Sequence, residues 1–298
     1  MLTRTVSRCG FCASYNAGLL VSNTNYQPRG RLAPSPTGLL HLGHARTFWT
    51  AYRRVVERGG TLVLRNEDLD PYRSRSEYLA AMIEDLRWLG VEWQEGPDVG
   101  GPYAPYSQSE RRAFYGNAWK KLRELGAIYP CVCSRKDLLH TAQAPHESDD
   151  EQLYPGTCRG RSSNAEAPAG VNWRFRVPEG EAIRFYDLCQ GAQEFVAGRD
   201  FGDFVVWRRD NVPAYQLAVV VDDDAMRISE VVRGLDLLRS TARQILLARA
   251  LGLVSPDYYH CPLVADAHGV RLAKRHDALS LRALRNAGTS PESLRAWW

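Results

Sequence analysis

Residues 29–65 hold a strand, a turn, a helix and a second strand in direct succession, and that order leaves few ways to fold. Arg-Gly-Arg-Leu-Ala (29–33) reads as a short strand and Pro34-Ser35-Pro36-Thr37-Gly38 as a turn. Residues 41–58 carry a helical stretch that stops at Gly59-Gly60, and Thr-Leu-Val-Leu-Arg (61–65) is an apolar, β-rich run. Two strands joined through a helix pair in parallel by a right-handed crossover. The loop after the first strand and the end of the second therefore meet at the carboxyl edge of one sheet, where α/β proteins bind ligands. Ser35 comes to that edge from the first strand, Glu67 and Asp68 from the second.

Further along, helices are expected at 76–89, introduced by Ser74 and Ser76, at 109–125, where Ser109 can cap and Gly126 terminates, and at 235–251. Strand-like segments fall at 173–177, 204–208 and 216–221. This alternation predicts the α/β class with a parallel sheet. Residues 130–170 break the pattern with Cys131-Val-Cys133 and a polar, Pro- and Ser-containing stretch, which reads as a loop-rich insertion. The expected division is a leader over 1–28, the first half of a core over 29–129, an insertion over 130–188 and the second half of the core over 189–298.

Composition narrows the class. A 298-residue chain that is 44% hydrophobic and 24% charged can bury most of its apolar surface, which excludes wholesale disorder. The best apolar runs, 217–221 and 245–253, are too short to span a bilayer. A net charge of +4 suits a polyanionic partner without requiring one. Seven cysteines, an odd number, with no signal peptide point to the reducing cytoplasm rather than to a secreted disulfide scaffold. Residues 1–28 contain no acidic residue and no periodicity, so a disordered leader or a misassigned start is expected; Cys9 and Cys12 in it read as free thiols.

Three groups of residues carry chemistry. His41-Leu-Gly-His44 sits where a strand gives way to a helix N-terminus, a place that attracts anions. Its histidines can donate to phosphate oxygens, and Gly43, without Cβ, lets a flat base lie against the backbone. Alone, the tetrapeptide is an ordinary helix start; within a βαβ unit it points to nucleotide binding. Late in the chain, Arg271-Leu-Ala-Lys274-Arg275 follows Gly269 as a basic loop of the kind that stabilises phosphate charge on closing, although a solvated basic patch reads equally well in isolation. Cys131, Cys133 and Cys158 offer three soft ligands in an insertion with little core of its own, where zinc would supply order. By chemistry alone the fourth ligand is His140 or His146, while Cys189 and Cys261 read as plain buried thiols.

These residues resemble a family. His41-Leu-Gly-His44 looks like the HIGH signature, and residues 271–275 look like the KMSKS loop, of the class I aminoacyl-tRNA synthetases, with Arg271 for the first Lys and Ala273 for the Ser. Arg31-Leu-Ala-Pro-Ser-Pro-Thr-Gly38, Arg65-Asn-Glu-Asp-Leu-Asp70, Tyr215-Gln-Leu-Ala-Val-Val-Val-Asp222 and Val232-Arg-Gly-Leu-Asp-Leu-Leu238 resemble the glutamyl and glutaminyl branch, in order, over residues 29–285.

The resemblance implies a Rossmann-type α/β catalytic core and a ligase that activates L-glutamate with ATP, accompanied by Mg²⁺. Catalysis would fall to His41, His44 and Lys274, and ATP binding to these three with Gly43. Glutamate would be held by Arg31, Ala33, Ser35, Glu67, Tyr215 and Arg233. Two guanidinium groups suit two carboxylates, Glu67 can pair with the α-ammonium, and a neutral glutamine would leave one Arg less satisfied. In the short glutamyl paralogues a tyrosine completes the zinc set, which makes Tyr154 the expected partner of Cys131, Cys133 and Cys158.

After Lys274 only 24 residues remain, too few for an anticodon-binding domain. The resemblance is closest to a truncated paralogue of that branch, and it implies that glutamate is attached to the queuosine base at the wobble position of tRNA(Asp). The anticodon stem-loop would be its RNA partner, with Arg159 and Arg161 near the phosphates. A monomer with no membrane contact is expected. The alternatives are a truncated glutamyl-tRNA synthetase that charges a 3′ end, and a weakly catalytic RNA- or amino-acid-binding module.

Overall fold

In the computed structural model, which describes residues 27–134, 153–162, 166–263, 280–296 and 298, the opening βαβ unit is β1 (Arg29–Leu32), α1 (Leu42–Val56) and β2 (Thr61–Leu64). The two strands pair in parallel, Arg31 opposite Val63. His41 caps α1, its Nδ1 accepting the Gly43 N–H, and Leu42, Ala45, Ala51 and Val55 bury one side of the helix. Gly59 ends the turn at φ +62°. Gly60 has a different reason to be glycine: a Cβ there would lie 2.2 Å from the Pro28 carbonyl, which accepts the Thr61 N–H at 2.9 Å.

The chain continues through α2 (Ser76–Trp88), a 3₁₀ turn at Gln108–Glu110, α3 (Arg112–Glu124), β3 (Ile128–Cys131), β4 (Asn172–Phe175), β5 (Ala182–Asp187), β6 (Gly191–Val196) and β7 (Phe204–Trp207). It then forms α4 (Tyr215–Ala225), β8 (Glu230–Gly234), α5 (Leu238–Leu251), β9 (Asp257–Cys261), α6 (Leu281–Asn286) and α7 (Pro291–Arg295). The main sheet runs β2-β1-β8-β9-β5-β6, parallel throughout except for the edge strand β6. Strand β1 has β2 on one side and β8 on the other, so the direction of strand order reverses there and a crevice opens at the carboxyl ends of β1 and β8. A second, antiparallel sheet, β3-β4-β7, stands beside it. This is the Rossmann-type α/β architecture expected from the sequence.

Two apolar clusters hold the layers together. Leu40, Val55, Leu62, Leu86 and Val91 pack with Leu281 and Leu294, closing α1, α2 and the last helices onto one another. Trp119, Trp173, Phe204, Leu217 and Leu247 join the small sheet to α3, α4 and α5, with the Trp119 and Trp173 rings edge to face at 5.0 Å.

Three local expectations are corrected. Residues 216–221 are helical, inside α4: Leu217 to Val221 are buried on every side, and burial all round a helix erases the periodicity that tells helix from strand. Neither Ser74 nor Ser76 caps α2, whose N-cap is Arg75 with no side-chain bond. Ser109 does not cap α3 either; its hydroxyl and N–H both go to Asp68, which ties the 3₁₀ turn to the end of β2. Among the described residues no helix is long and apolar enough to cross a membrane.

Leu86, fully buried between α2 and its neighbours, is expected to set a large share of stability. Leu86→Ala should lower the unfolding free energy by about 2–5 kcal/mol, read from urea denaturation.

Candidate active site

The carboxyl edge of the sheet carries an interior network of charges. Arg31 lies near the end of β1, and its Nη1 donates to the Val232 carbonyl while its Nε lies 3.5 Å from Asp223. Arg65, just past β2, donates to Asp223 at 2.7 Å and to Glu67 at 3.0 Å. Asp222, next in α4, accepts from Arg111 Nε at 2.6 Å, Tyr115 Oη at 2.8 Å and Gln108 Nε2 at 2.8 Å. All six charged groups are buried. Arg31, Arg65 and Arg111 thus face Glu67, Asp222 and Asp223, three cations against three anions. Burial pushes the Glu67 carboxyl up, and Arg65 and Arg31 oppose that rise. The buried Nε of Arg31 has no hydrogen-bond acceptor among the described residues, so a donor remains on offer.

Arg233, near the end of β8, is different. Its guanidinium donates to Gln244 Oε1 at 2.8 Å, Thr241 Oγ1 at 2.7 Å, His260 Nε2 at 3.1 Å and Tyr215 Oη at 3.4 Å, every partner neutral. Among the described residues it makes no ion pair, although it is buried. The Tyr258 ring lies under it at 5.4 Å. Tyr215 is half in solvent at the first residue of α4, where it marks the rim.

The loop after β1 is zipped to the segment after β2: Arg65 N–H donates to Leu32 O, Glu67 N–H to Pro34 O and Arg75 N–H to Pro36 O. This holds Ala33 and the exposed Ser35 next to Glu67. At the far end of the same loop the His41 and His44 rings stack 3.7 Å apart at the start of α1, whose first turn contains no acidic residue. A Cβ on Gly43 would press within 3.1 Å of the His41 ring, so glycine keeps that face open. The structure therefore brings Arg31, Ala33, Ser35, Glu67, Tyr215, Arg233, His41, Gly43 and His44 to one edge. Lys274 and the rest of residues 271–275 lie outside the described residues, as do Cys9, Cys12, His140 and His146.

Cys131, Cys133 and Cys158 converge in the small sheet and its adjoining turn. Their sulfur atoms all lie within 4.8 Å of one another, and the group could hold a metal ion. Tyr154 belongs with them: its Oη is 3.4 Å from Cys131 Sγ and 3.5 Å from Cys133 Sγ, and Cys133 and Cys158 stand 3.6 Å apart. A tetrahedral ion bound at usual thiolate and oxygen distances requires about 3.8 Å between sulfurs and about 3.5 Å from sulfur to oxygen. The Cys133–Cys158 pair and the two distances from Tyr154 Oη match those values, and the remaining sulfur pairs lie within 4.8 Å. Burial opposes ionisation of Cys158, but hydrogen bonds from Tyr154 and the Val132 N–H outweigh it and bring the thiol down to about 7. Burial and the thiols hold the proton on Tyr154, so phenolate forms there only when a cation displaces it. Arg174 covers the group, stacked 3.9 Å over the Tyr154 ring and donating to Cys131 Sγ. Cys261 is a buried thiol as expected, whereas Cys189 is exposed in the turn between β5 and β6, a correction to its reading as buried. Arg159 is held by Glu179 and Asp203, and Arg161 is exposed.

Sequence reasoning missed Asp222, Asp223, Arg111 and the Arg233 partners Thr241, Gln244 and His260. The signal available was the run Asp222-Asp223-Asp224 directly after five apolar residues. Acids next to a fully buried helix face must meet cations, and the motif over residues 65–70 begins with one.

Residues 28–297 match the model for the catalytic domain of class I tRNA synthetases (E and Q), and the chain belongs to that family of ligases. Within it, the chain is 50% identical over 274 residues to a glutamyl-Q tRNA(Asp) synthetase of Symbiobacterium thermophilum, a match that spans 89% of this chain and 83% of that protein. It is equally similar, 50% over 268 residues, to a glutamyl-Q tRNA(Asp) synthetase of Nitratidesulfovibrio vulgaris, covering 87% of this chain and 82% of the relative. A crystal structure of a glutamate tRNA ligase from Elizabethkingia meningosepticum with its amino acid superposes with a TM-score of 0.74 at 29% identity. The match covers 85% of this chain and 53% of that one, so this chain spans about half of the longer ligase.

Because Asp222 satisfies three buried donors at once, its loss takes the counter-charge from Arg111, which keeps only the Tyr103 and Pro105 carbonyls, and leaves the Tyr115 phenol and the Gln108 amide without their acceptor. Asp222→Ala is expected to cost about 3–5 kcal/mol of stability by chemical denaturation, more than a surface carboxylate could.

Proposed function

We propose that this chain activates L-glutamate with ATP and transfers the glutamyl group to the queuosine base at the wobble position of tRNA(Asp). The observation that carries the amino-acid assignment is Arg233, a buried cation with only neutral partners beside a network whose own charges cancel. The nearest buried anion, Asp187, is held one imidazole away from the guanidinium, so Arg233 has no anion in direct contact. The side-chain carboxylate of glutamate supplies one, and the neutral amide of glutamine does not. A buried cation gains most from an anion in contact, so the pocket favours the acidic ligand.

In this reading Arg233 and Tyr215 take the side-chain carboxylate, the open Nε of Arg31 helps to hold the ligand, and Glu67 meets the α-ammonium with Ala33 and Ser35 alongside. The α-carboxylate attacks the α-phosphorus of ATP, the bond to the bridging oxygen breaks, and pyrophosphate leaves. His41, Gly43 and His44 at the positive end of α1, with Lys274, steady the triphosphate and its Mg²⁺, a step that needs charge stabilisation more than proton transfer. A hydroxyl of the queuosine cyclopentene diol then attacks the acyl carbon and AMP leaves. The acceptor is supported by the likeness to relatives named glutamyl-Q tRNA(Asp) synthetase along more than four fifths of their length.

Zinc is the metal the thiol group fits best: three thiolates and a phenolate make a closed, four-coordinate, redox-silent site, which is structural rather than catalytic. The chemistry it supplies when bound is order in the loops that reach away from the main sheet.

ATP–pyrophosphate exchange should require glutamate and not respond to glutamine, and Arg233→Gln should reduce kcat/KM for glutamate by about 100-fold or more. Labelled glutamate should pass to an anticodon stem-loop that carries queuosine, which has no acceptor end, and not to the same RNA with guanine. Label on the 3′ end of queuosine-free tRNA instead would identify a minimal charging enzyme. For the metal, the purified chain should contain one zinc by elemental analysis, and Cys158→Ser should lose it together with several degrees of unfolding midpoint.

A further inference from the structure

Arg233 reaches its orientation through a second buried pair. His260, on β9, lies between Arg233 and Asp187, the last residue of β5; His260 and Asp187 are both fully buried. His260 Nδ1 is 2.6 Å from Asp187 Oδ2, and Nε2 is 3.1 Å from Arg233 Nε. Arginine Nε–H can only donate, so Nε2 must present its lone pair, and the ring proton must sit on Nδ1 and point at the carboxylate. Asp187 is itself fixed in place, because it also accepts the backbone N–H groups of Cys189, Gln190 and His260. Thr241 Oγ1, which accepts from Arg233 Nη2, lies 3.1 Å from the same Nε2 and closes the ring of contacts.

We propose that Asp187 and His260 are positioning residues that aim Arg233 at the substrate's side-chain carboxylate through an uncharged imidazole, so that the guanidinium charge stays whole for glutamate. The proposal rests on the reading of Arg233 as the glutamate contact and extends it to two residues, 73 positions apart in sequence, that never touch substrate. A carboxylate in the place of His260 would fix Arg233 as firmly but would neutralise it, and the preference for an acidic ligand would vanish. An imidazolium would repel it. Burial, reinforced by the charges of Arg233 and Arg31, outweighs the pull of Asp187 and brings His260 down to about 4, so the neutral form holds at physiological pH. Tyr258, stacked 6.2 Å from the imidazole, is the remaining titratable neighbour, and burial keeps its phenol protonated. The arrangement also gives the β5–β6 hairpin a function. Its first strand ends in Asp187, and the turn that follows sends Gln190 Nε2 to the His260 carbonyl, so an element outside the βαβ core sets the aim of a residue inside the crevice.

The test uses the full chain in glutamate-dependent ATP–pyrophosphate exchange. His260→Leu should raise KM for glutamate at least about tenfold, the size of one hydrogen bond to a charged group, leave KM for ATP unchanged and narrow the preference for glutamate over glutamine. His260→Gln, whose amide oxygen can stand where Nε2 stands, should recover most of that loss. Asp187→Asn should reproduce the KM effect by turning the tautomer over. An unchanged KM for glutamate, or parallel losses in both KM values and in unfolding midpoint without rescue by His260→Gln, would overturn the proposal. Nitrogen-15 spectra of the wild-type chain without any substrate decide the same point if the variants do not fold: a proton on Nδ1 at pH 7 supports it, and a proton on Nε2 or a charged ring refutes it. Absence of glutamate-dependent exchange in the wild type would instead strike the reading of the pocket, a result the tautomer measurement does not depend on.

Discussion

Placing guanidinium groups inside a protein is costly unless each finds a counter-charge in good geometry, and the carboxyl edge of this sheet is organised around that cost. Asp222 and Asp223 are adjacent in α4, yet they answer cations from three different elements: Arg31 on β1, Arg65 beyond β2 and Arg111 before α3. The strand order follows the same logic. With β1 between β2 and β8, the residues that must share one polar interior are delivered to it by neighbouring strand ends, and α4 closes over them with its acidic end. The apolar layers supply the bulk of the folding energy, but it is the charge pairing that fixes which residues can stand at this edge.

Much of this is legible in the amino-acid sequence alone, because the informative features are local. The βαβ unit, the His41–His44 start of α1 and the Cys131–Cys133 pair each occupy a few consecutive positions, and strand, turn and cap chemistry act over that range. The set Arg31, Glu67, Tyr215 and Arg233 is legible through ordered motifs that resemble one enzyme branch. Tyr154 is legible only that way, since ligand chemistry alone favours a histidine. What stays hidden is long-range: Gln108 and Asp222 meet across 114 positions, and His260 and Asp187 across 73. Residues 216–221 mislead for a related reason. A segment buried on all sides carries no face in its sequence, and its valines argue for a strand that the packing overrules.

The small sheet and the thiol group beside it show the same division between local signal and remote support. Three cysteines announce a ligand set, but Arg174, from β4, both caps the tyrosine ring and reaches Asp203 at the edge of the next strand. Tyr129 meets the same aspartate. The thiol group is thus tied into a sheet whose other face shares its core with α3, α4 and α5.

Arg233 can also be viewed from the standpoint of selection on sequence rather than of binding. An apolar residue in its place would shed a buried charge but would leave Gln244, Thr241 and His260 short of a donor, so the site is shaped around a guanidinium and tolerates little else. On the proposed reading an acidic ligand is what keeps arginine there, while Asp187 serves a second end as well, since it also accepts the Cys189 and Gln190 N–H groups and so holds the turn after β5.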